Sequence, residues 1–341
     1  MSKIIHFQSS FFEKMLFFYK KHWEEEGKNY HEEYLHYRLF KVSNDPSDVD
    51  KNMLAIDNND DIVGWGLIVP AKALILGEEQ TIYWGNDLFF EKDHRKTSLS
   101  KELLIKRNDI ERLFLYGLSP SYRKIQIKIQ NNFIAETTGY FILNRWTVKV
   151  LFFKLGLISP KINDLRVIPN EIKVKSDVFE LVKRAEDISI PNNGYWNKGK
   201  LDIEMKRNVD FFKHRFFEHF NTYYFYQKKT GEKKSYFVFR KIVKKGVSAI
   251  SLVDFRYDLE DFDEYLKILY AIKKIAVKNR EPLVVVRSTI LDKKIRFRPF
   301  VIRNEKKCDV VTNIKDILSP STFITLADSD ADLAIRYKCE D

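Results

Sequence analysis

The sequence predicts an α/β (α+β) protein of two tandem units, each a mixed, mostly antiparallel sheet flanked by helices. Three observations lead there. The chain has 341 residues, more than one typical domain. Its expected elements run helix, strands, helix, strand, helix, strand up to about residue 155, and helices, a meander, a helix and a strand follow after about residue 170. Between them, "GLISPKINDLRVIPNEIK" carries two prolines and no helical period, as a linker would. The expected domains are therefore 1–155 and 170–341. The 27 Phe and 17 Tyr favour sheet-and-helix layers over a helical bundle.

Each element has a local reason. Ser10 with Glu13 reads as a capping box ahead of the helix "FFEKMLFFYKKHWEEE". The polar "SNDPSDVDKN" separates it from the strand "MLAIDN", and "NNDD" turns into a second strand, "IVGWGLIVPAKAL". "TIYWGNDLFF" is a third strand. In the helix after Ser98, Leu99, Leu103, Leu104 and Ile110 share a face, with Lys101, Lys106 and Arg107 largely elsewhere. "RLFLYGL" is a strand. Ser119 and Pro120 then open a helix whose buried stripe is expected to be Tyr122, Ile125, Ile129 and Phe133. "GYFILNRWTVKVLFF" reads as a returning strand. In the second half, "SDVFELVKRAEDI" and most of "LDIEMKRNVDFFKHRFFEHF" read as helix. "TYYFYQ", "KSYFVFRKIV" and "VSAISLVDF" read as strands. The long amphipathic helix "LEDFDEYLKILYAIKKIAVKN" leads to the buried strand "PLVVVRST".

Composition narrows the function classes. Lys and Arg exceed Asp and Glu by 59 to 48, a net charge of +11. Such an excess attracts phosphorylated cofactors, nucleic acid or anionic lipid, unless it is simply a solvated basic surface. The two cysteines, Cys308 and Cys339, lack metal-ligand spacing and suit a reducing cytoplasm. "MSKIIHFQSSFFEK" lacks a signal peptide's apolar core, and no apolar run approaches the roughly 20 residues that span a bilayer. A cytoplasmic protein is expected.

The stretch "FFEKDHRKTSLSKELL", Phe89 to Leu104, reads as a strand end, a short turn and a helix start. A helix N-terminus leaves about four backbone N–H groups unpaired and carries partial positive charge, so it can hold a pyrophosphate. Phosphate loops usually carry glycine, which allows close backbone approach. Here Ser98 and Ser100 stand instead, and serine reaches positive φ only at roughly 1 kcal/mol or more. Two readings remain: an anion cradle made by Arg95, Lys96 and the amides of Thr97 to Ser100, or a helix merely capped by Thr97 or Ser98.

From Ile62 to about Trp146 the chain resembles the GCN5-related N-acetyltransferases, the GNAT superfamily. The carrying residues are "IVGWGLIVP", "YWGNDLFFEKDHRKTSLSKELL", "LYGLSPS" and "NNFIAETTGYF". In that family an Arg or Gln opens a six-residue pattern whose fourth and sixth places are small. Here Arg95 opens it, Ser98 and Ser100 hold those places, and Gly139 to Phe141 match the family's Gly-aromatic pair. The resemblance implies acetyl-coenzyme A as cofactor. Its pyrophosphate would lie against Arg95, Lys96, Thr97, Ser98, Leu99 and Ser100, and its pantetheine arm along Asp87, Leu88, Phe89 and Phe90. It further implies acetyl transfer to a primary amine, which needs a base, an oxyanion donor and an acid for the departing thiolate. Asp87 is the candidate base, its alternative role being a hydrogen-bonded strand-edge carboxylate; Glu91 reads as solvated. The family's Tyr is replaced by Ala135, so Tyr122 and Tyr116 are the candidate acids, with core packing as the alternative for each.

The second half resembles the partner domain of two-domain acetyltransferase-like proteins found with surface-polysaccharide genes, and more distantly the Fem-type aminoacyl transferases. "RNVDFFKHRF", "SLVDF" and "FITLADSDADL" carry this, although Arg207-Asn208 and His214-Arg215 stand where an Arg-Asp and a Trp-Arg pair are usual. The resemblance implies an acceptor-binding unit for an amino sugar or sugar nucleotide. Arg207 and Arg215 would contact the acceptor, Arg215 through its planar fork, with Trp84 and Trp196 as aromatic contacts. Packing is an equal alternative for Trp196. No second phosphate loop follows a strand, so one cofactor site per chain is expected. Asp328, Asp330 and Asp332 alternate like a calcium loop but lack its Gly and distal Glu, so no metal is expected. The expected partner is a small-molecule amine rather than nucleic acid, and the sequence does not give the oligomeric state. Two alternatives stand beside this: a Fem-type transferase using charged tRNA, and a noncatalytic binding protein that keeps the fold.

Overall fold

The computed structural model describes residues 2–25, 32–41, 45–129, 131–159, 165–189, 200–231, 234–244, 246–289, 295, 298, 300–315, 317 and 320–328. In chain order the elements are β1 (Lys3–His6), α1 (Phe12–Glu25), α2 (Glu32–Phe40), α3 (Pro46–Val49), β2 (Met53–Ile56), β3 (Ile62–Ile75) and β4 (Glu78–Phe90). Then come α4 (Ser98–Asn108), β5 (Leu113–Tyr116), α5 (Pro120–Lys128), β6 (Asn132–Leu143) and α6 (Lys149–Lys154). They are followed by β7 (Glu171–Val174), β8 (Asp177–Val182), β9 (Ile203–Met205), α7 (Val209–Phe212), β10 (Tyr224–Lys228), β11 (Tyr236–Lys244) and β12 (Val247–Arg256). The last are α8 (Phe262–Lys278), β13 (Leu283–Ser288), β14 (Val301–Thr312) and β15 (Thr322–Phe323). Cα packing divides the chain into a unit of Met1–Ala73, Glu78–Ala135 and Asp309–Pro320, and a unit of Leu74–Gly77, Glu136–Cys308 and Ser321–Asp341.

In the first unit the strand order is β1-β2-β3-β4-β5, with the end of β14 beside β5. β1–β2 and β2–β3 pair antiparallel. β3 and β4 form a hairpin whose tip residues, Leu76 and Gly77 at φ 52° and 87°, are counted with the second unit; positive φ at both places of this two-residue turn matches strand twist. α4 then crosses over, so β5 lies parallel to β4. Val310 to Thr312 pair antiparallel with β5. Tyr19 stacks on Trp65 at 4.7 Å in a hydrophobic core that includes Phe7, Phe18 and Leu67.

In the second unit the order is β6-β13-β12-β11-β10-β8-β7. Along this order neighbouring strands pair antiparallel except β12–β13, which are parallel and joined by α8; β9 and β15 form a further parallel pair. Asp261 caps α8 by accepting from the Glu264 amide at 3.2 Å. Its Tyr265, Ile268, Ile272 and Ile275 are fully buried, each contributing about 1.5–3 kcal/mol of burial before entropy is charged. Both units thus contain a three-strand antiparallel run, a crossover helix and a strand parallel to the third: β2-β3-β4-α4-β5 and β10-β11-β12-α8-β13. The α/β class with mixed, mostly antiparallel sheets agrees with the sequence reading.

Several local expectations are corrected. Ser10 lies inside a 3₁₀ turn, Ser9–Phe11, and forms no capping box; β1 precedes it and α2 follows it, neither of them expected. α5 keeps its expected cap, Ser119 accepting from the Tyr122 amide at 3.2 Å. Its buried residue, however, is Gln126, held by Asn131 at 2.6 Å, while Ile125, Ile129 and Phe133 are exposed. "SDVFELV" is a strand rather than a helix: Lys175 at φ 54° closes a tight turn, and Phe179 enters the core opposite Ile172. "LDIEMKRNVDFFKHRFFEHF" opens with β9 and then makes only α7 and a π turn, Lys213–Phe217. "GYFILNRWTVKVLFF" divides into β6 and α6.

Candidate functional site

The end of β4, the turn after it and α4 form the candidate site in the first unit. β3 can lie close to the strand end because Gly64 has no side chain. A Cβ there would stand 2.5 Å from the Phe90 ring and 2.9 Å from the Phe89 carbonyl. The Glu91 amide closes the ladder on Val63 O, and a 3₁₀ turn, Lys92–His94, reverses the chain. Thr97 caps α4: its hydroxyl accepts from the Ser100 amide at 3.4 Å and donates to His94 O at 2.9 Å. Ser100 donates its hydroxyl to Arg95 O and Thr97 O. No residue from Glu91 to Ser100 has positive φ, so serines here incur no left-handed strain. The capped-helix reading is the one this geometry displays, with Thr97 as the cap. The helix is capped, and among the described contacts the amides of Ser98 and Leu99 have no protein acceptor.

Arg95 donates from Nε to Phe90 O at 2.8 Å with its guanidinium 5.4 Å from the Phe89 ring, and Lys96 is exposed beside it. Leu99 is buried in the core with Leu103, and Leu88 packs at its edge. Glu91 is not a free loop carboxylate: His22 Nε2 lies 2.9 Å and Lys21 Nζ 3.3 Å from its Oε1.

Beside this turn the parallel β4–β5 ladder registers at Tyr83↔Leu113 and Trp84↔Phe114. Beyond Trp84, β5 contributes no further rung among the described residues, and the two strands form a wedge. Arg107 of α4 reaches its vertex. It is 1% exposed, donates from Nη2 to Asn86 O at 2.8 Å and from Nη1 to Tyr122 Oη at 3.1 Å. Gly85 admits it, since a Cβ there would stand 2.5 Å from Nη2 and from Leu115 Cδ2. Among the described residues Nε of Arg107 has no hydrogen-bond partner and no carboxylate pairs with its guanidinium. A buried cation facing only a carbonyl and a phenol is under-compensated and suits an incoming anion or polarised oxygen. The sequence reading had placed Arg107 away from the buried face.

Asp87 is half-buried on β4. It accepts from Tyr34 Oη at 3.2 Å and has Arg38 Nη1 at 3.8 Å, both from α2. Tyr122 packs on Leu113, Leu115 and Val311, and Tyr116 closes β5 half-buried. Trp84 is 1% exposed and packs tilted against Phe114 at 5.4 Å, a core position rather than the substrate contact expected from the sequence. Tyr34, Arg38 and Arg107 were missed as site residues. The spacing Tyr34, Leu35, Arg38 and Leu39 was the available helical signal for the first two.

In the second unit, the three segments behind the second resemblance meet in one buried ionic cluster. Arg207 Nε donates to Asp254 Oδ2 at 2.9 Å and Nη2 to Oδ1 at 3.1 Å, and Nη2 also binds Asp328. Tyr236 Oη donates to Asp254 at 2.8 Å, and Arg256 lies 3.2 Å away. Burial alone would lower the Arg207 pKa, but Asp254 and Asp328 outweigh it and hold it well above its ordinary value. Burial likewise raises Asp254, and Arg207 and Arg256 override it to hold its carboxyl low. Burial first and the Asp254 charge second push Tyr236 well up. Arg207 is therefore a structural ion rather than an acceptor contact, and Asn208 is the N-cap of α7, accepting from the Phe211 amide at 2.8 Å. Arg215 is also buried, donating to Ala327 O and Tyr223 Oη, so its expected acceptor clamp is corrected too. Asp328 is spent on Arg207 and on the Thr325 amide. Trp196, Asp330 and Asp332 lie outside the described residues. Among the described residues no three His, Cys, Asp or Glu side chains gather as a metal site.

This unit has its own wedge, since β12–β13 register from Ile250↔Val284 to Leu252↔Val286. The chain itself fills the gap beyond. Ala327 N–H donates to Val253 O, Thr289 N–H to Ile324 O, and Ser288 bridges Thr325.

Structures of known proteins share this architecture. N-myristoyltransferase of Saccharomyces cerevisiae, solved with bound myristoyl-CoA and inhibitors, aligns with TM-score 0.59 at 10% identity, over 92% of this chain and 80% of that one. A GCN5-related N-acetyltransferase from Anabaena variabilis aligns with TM-score 0.58 at 10% identity, over 92% and 73%. A probable N-acyltransferase from Enterococcus faecalis aligns with TM-score 0.55 at 9% identity, over 91% and 72%. The chain has the GNAT fold. No family model matches it, and no curated protein matches it by sequence. In this GNAT-fold chain no helix among the described residues is long and apolar enough to cross a membrane.

Proposed function

We propose that this chain is an N-acyltransferase whose first unit takes a coenzyme A thioester in the β4–β5 wedge. The carrying observation is the end of the β4–β5 ladder at Trp84 beside the capped start of α4. The residues fit the group: the Ser98 and Leu99 amides with Arg95 and Lys96 would hold the pyrophosphate, and Asp87 to Phe90 would border the pantetheine arm. An acyl-coenzyme A bound there would supply the acyl group, activated as its thioester. The remaining chemistry belongs to this chain. Asp87, positioned by Tyr34 and Arg38, takes a proton from the attacking amine directly or through water. The Tyr122 oxygen accepts from Arg107, so its own proton is free for the thiolate as it departs. Arg107 opposes the negative charge that develops at the vertex.

Acetyl is the proposed acyl group and an amino sugar the proposed acceptor, as the sequence resemblances imply. The similar S. cerevisiae structure with myristoyl-CoA makes the long-chain donor the comparison arm. Isothermal titration of the full chain with acetyl-CoA, myristoyl-CoA and free coenzyme A tests the reading. Binding of any coenzyme A ligand supports the wedge, the ratio between donors assigns chain length, and no binding at millimolar ligand refutes it. Thiol release with a panel of amines separates an enzyme from a binding protein.

A further inference from the structure

We infer that the α6 shoulder of the second unit docks on an anionic lipid surface, an inference independent of the acyltransferase reading. Val148, Leu151, Leu155 and Leu157 are 56, 55, 61 and 65% exposed, a dense apolar tip for so short a segment. Fraying does not account for it. Gly156 at φ 69° ends α6 in a Schellman turn, with Gly156 N–H on Phe153 O and Leu157 N–H on Phe152 O. The backbone is satisfied, and Leu155 and Leu157 are presented on either side of a fixed glycine. The base of the tip is anchored as well: Trp146 donates from Nε1 to Val277 O at 3.1 Å, and Thr147 donates to Pro282 O at 2.9 Å.

Charge selects the occupant. Between Glu136 and Asp164 the sequence has no acidic residue, while Arg145, Lys149 and Lys154 lie within the segment. Lys149, Arg145 and Arg280 all sit within 5.6 Å of the Trp146 ring centroid. Leucines projecting from an aromatic anchor ringed by cations match an interface that is apolar inside and negatively charged at its surface. The net charge of +11 acts in the same direction.

The test is co-sedimentation of the full chain with large vesicles of equimolar phosphatidylcholine and phosphatidylglycerol, against phosphatidylcholine alone. Binding is expected to the anionic vesicles only, weakening several-fold when salt rises from about 0.1 to 0.5 M. A Leu155→Glu/Leu157→Glu chain and a Lys149→Glu/Lys154→Glu chain should each lose roughly tenfold or more in partitioning while keeping the native thermal midpoint. Failure of the native chain to sediment, or undiminished binding by either variant, overturns the proposal. So does a concentration-dependent dimer that the leucine variant abolishes, because the shoulder would then belong to a second copy.

Discussion

Replacing Arg207 by Met keeps its length and removes its charge from a site where its side chain and that of Asp254 are both fully buried. Asp254 would keep Arg256 at 3.2 Å and the Tyr236 hydroxyl, but Asp328 would lose its cation partner. Removing one partner of a buried pair typically costs about 3–5 kcal/mol, because the remaining charge is left without compensation. Arg207→Met should therefore unfold the second unit at clearly lower urea. Asp328→Asn, which can still accept from Arg207, should cost less, about 1.5–3 kcal/mol. The assay is urea unfolding at pH 7, repeated toward acid. Asp254 is depressed in the folded state, so its stabilisation is present above its unfolded value of about 3.9 and fades as pH falls through the folded value. Native and Met chains should converge in acid. A Met chain within 1 kcal/mol of native at pH 7 would refute the reasoning.

Four further outcomes follow from the geometry. Tyr236 is raised in the folded state, so its contribution is whole below the unfolded phenol value of about 10 and lost as pH rises toward the folded value; Tyr236→Phe should flatten that alkaline loss in a pH series of melts. Gly85→Ala should weaken coenzyme A binding and cost about 1–3 kcal/mol of stability, read by titration and melting, because Arg107 must move. Ser98→Gly should not tighten coenzyme A binding, since Ser98 already has ordinary φ, and should slightly weaken α4; tighter binding by titration contradicts the capped-helix geometry. Tyr122→Phe should lower kcat by about 10²-fold or more with donor KM nearly unchanged, which steady-state kinetics reads directly.

Legibility followed the range of the signal. Thr97 and Ser119 act within their own turns, so both caps were visible in the sequence. "SDVFELV" suits a helix or a strand by its pattern alone; Lys175 at positive φ just before it and pairing to β10, which is distant in sequence, make it a strand. The helical pattern puts Arg107 with Lys101 and Lys106 largely off the apolar face of α4, yet Arg107 follows buried Leu103 by four residues and is itself buried. Its burial depends on two glycines of other strands: a Cβ at Gly66 would stand 3.4 Å and one at Gly85 2.5 Å from its side chain. The segments "RNVDFFKHRF", "SLVDF" and "FITLADSDADL" were singled out together, and they do converge. Their polar residues read as a binding surface because a sequence shows charge but not accessibility.

The late strands have a consequence for biosynthesis. β5 of the first unit is bordered by Val310 to Thr312, and Leu113 N–H donates to the Asn313 side chain. The second unit's wedge is closed by Thr322 to Asp328. On the ribosome, then, neither unit can complete its sheet as it emerges. Each holds an open strand edge and, in the second, an uncompensated buried-site charge until Val310 to Thr312 and Thr322 to Asp328 respectively have been translated. Such long-range closure slows folding and exposes partly finished sheets to aggregation. The yield of this protein should depend more on chaperone capacity during synthesis than on the stability of the finished fold.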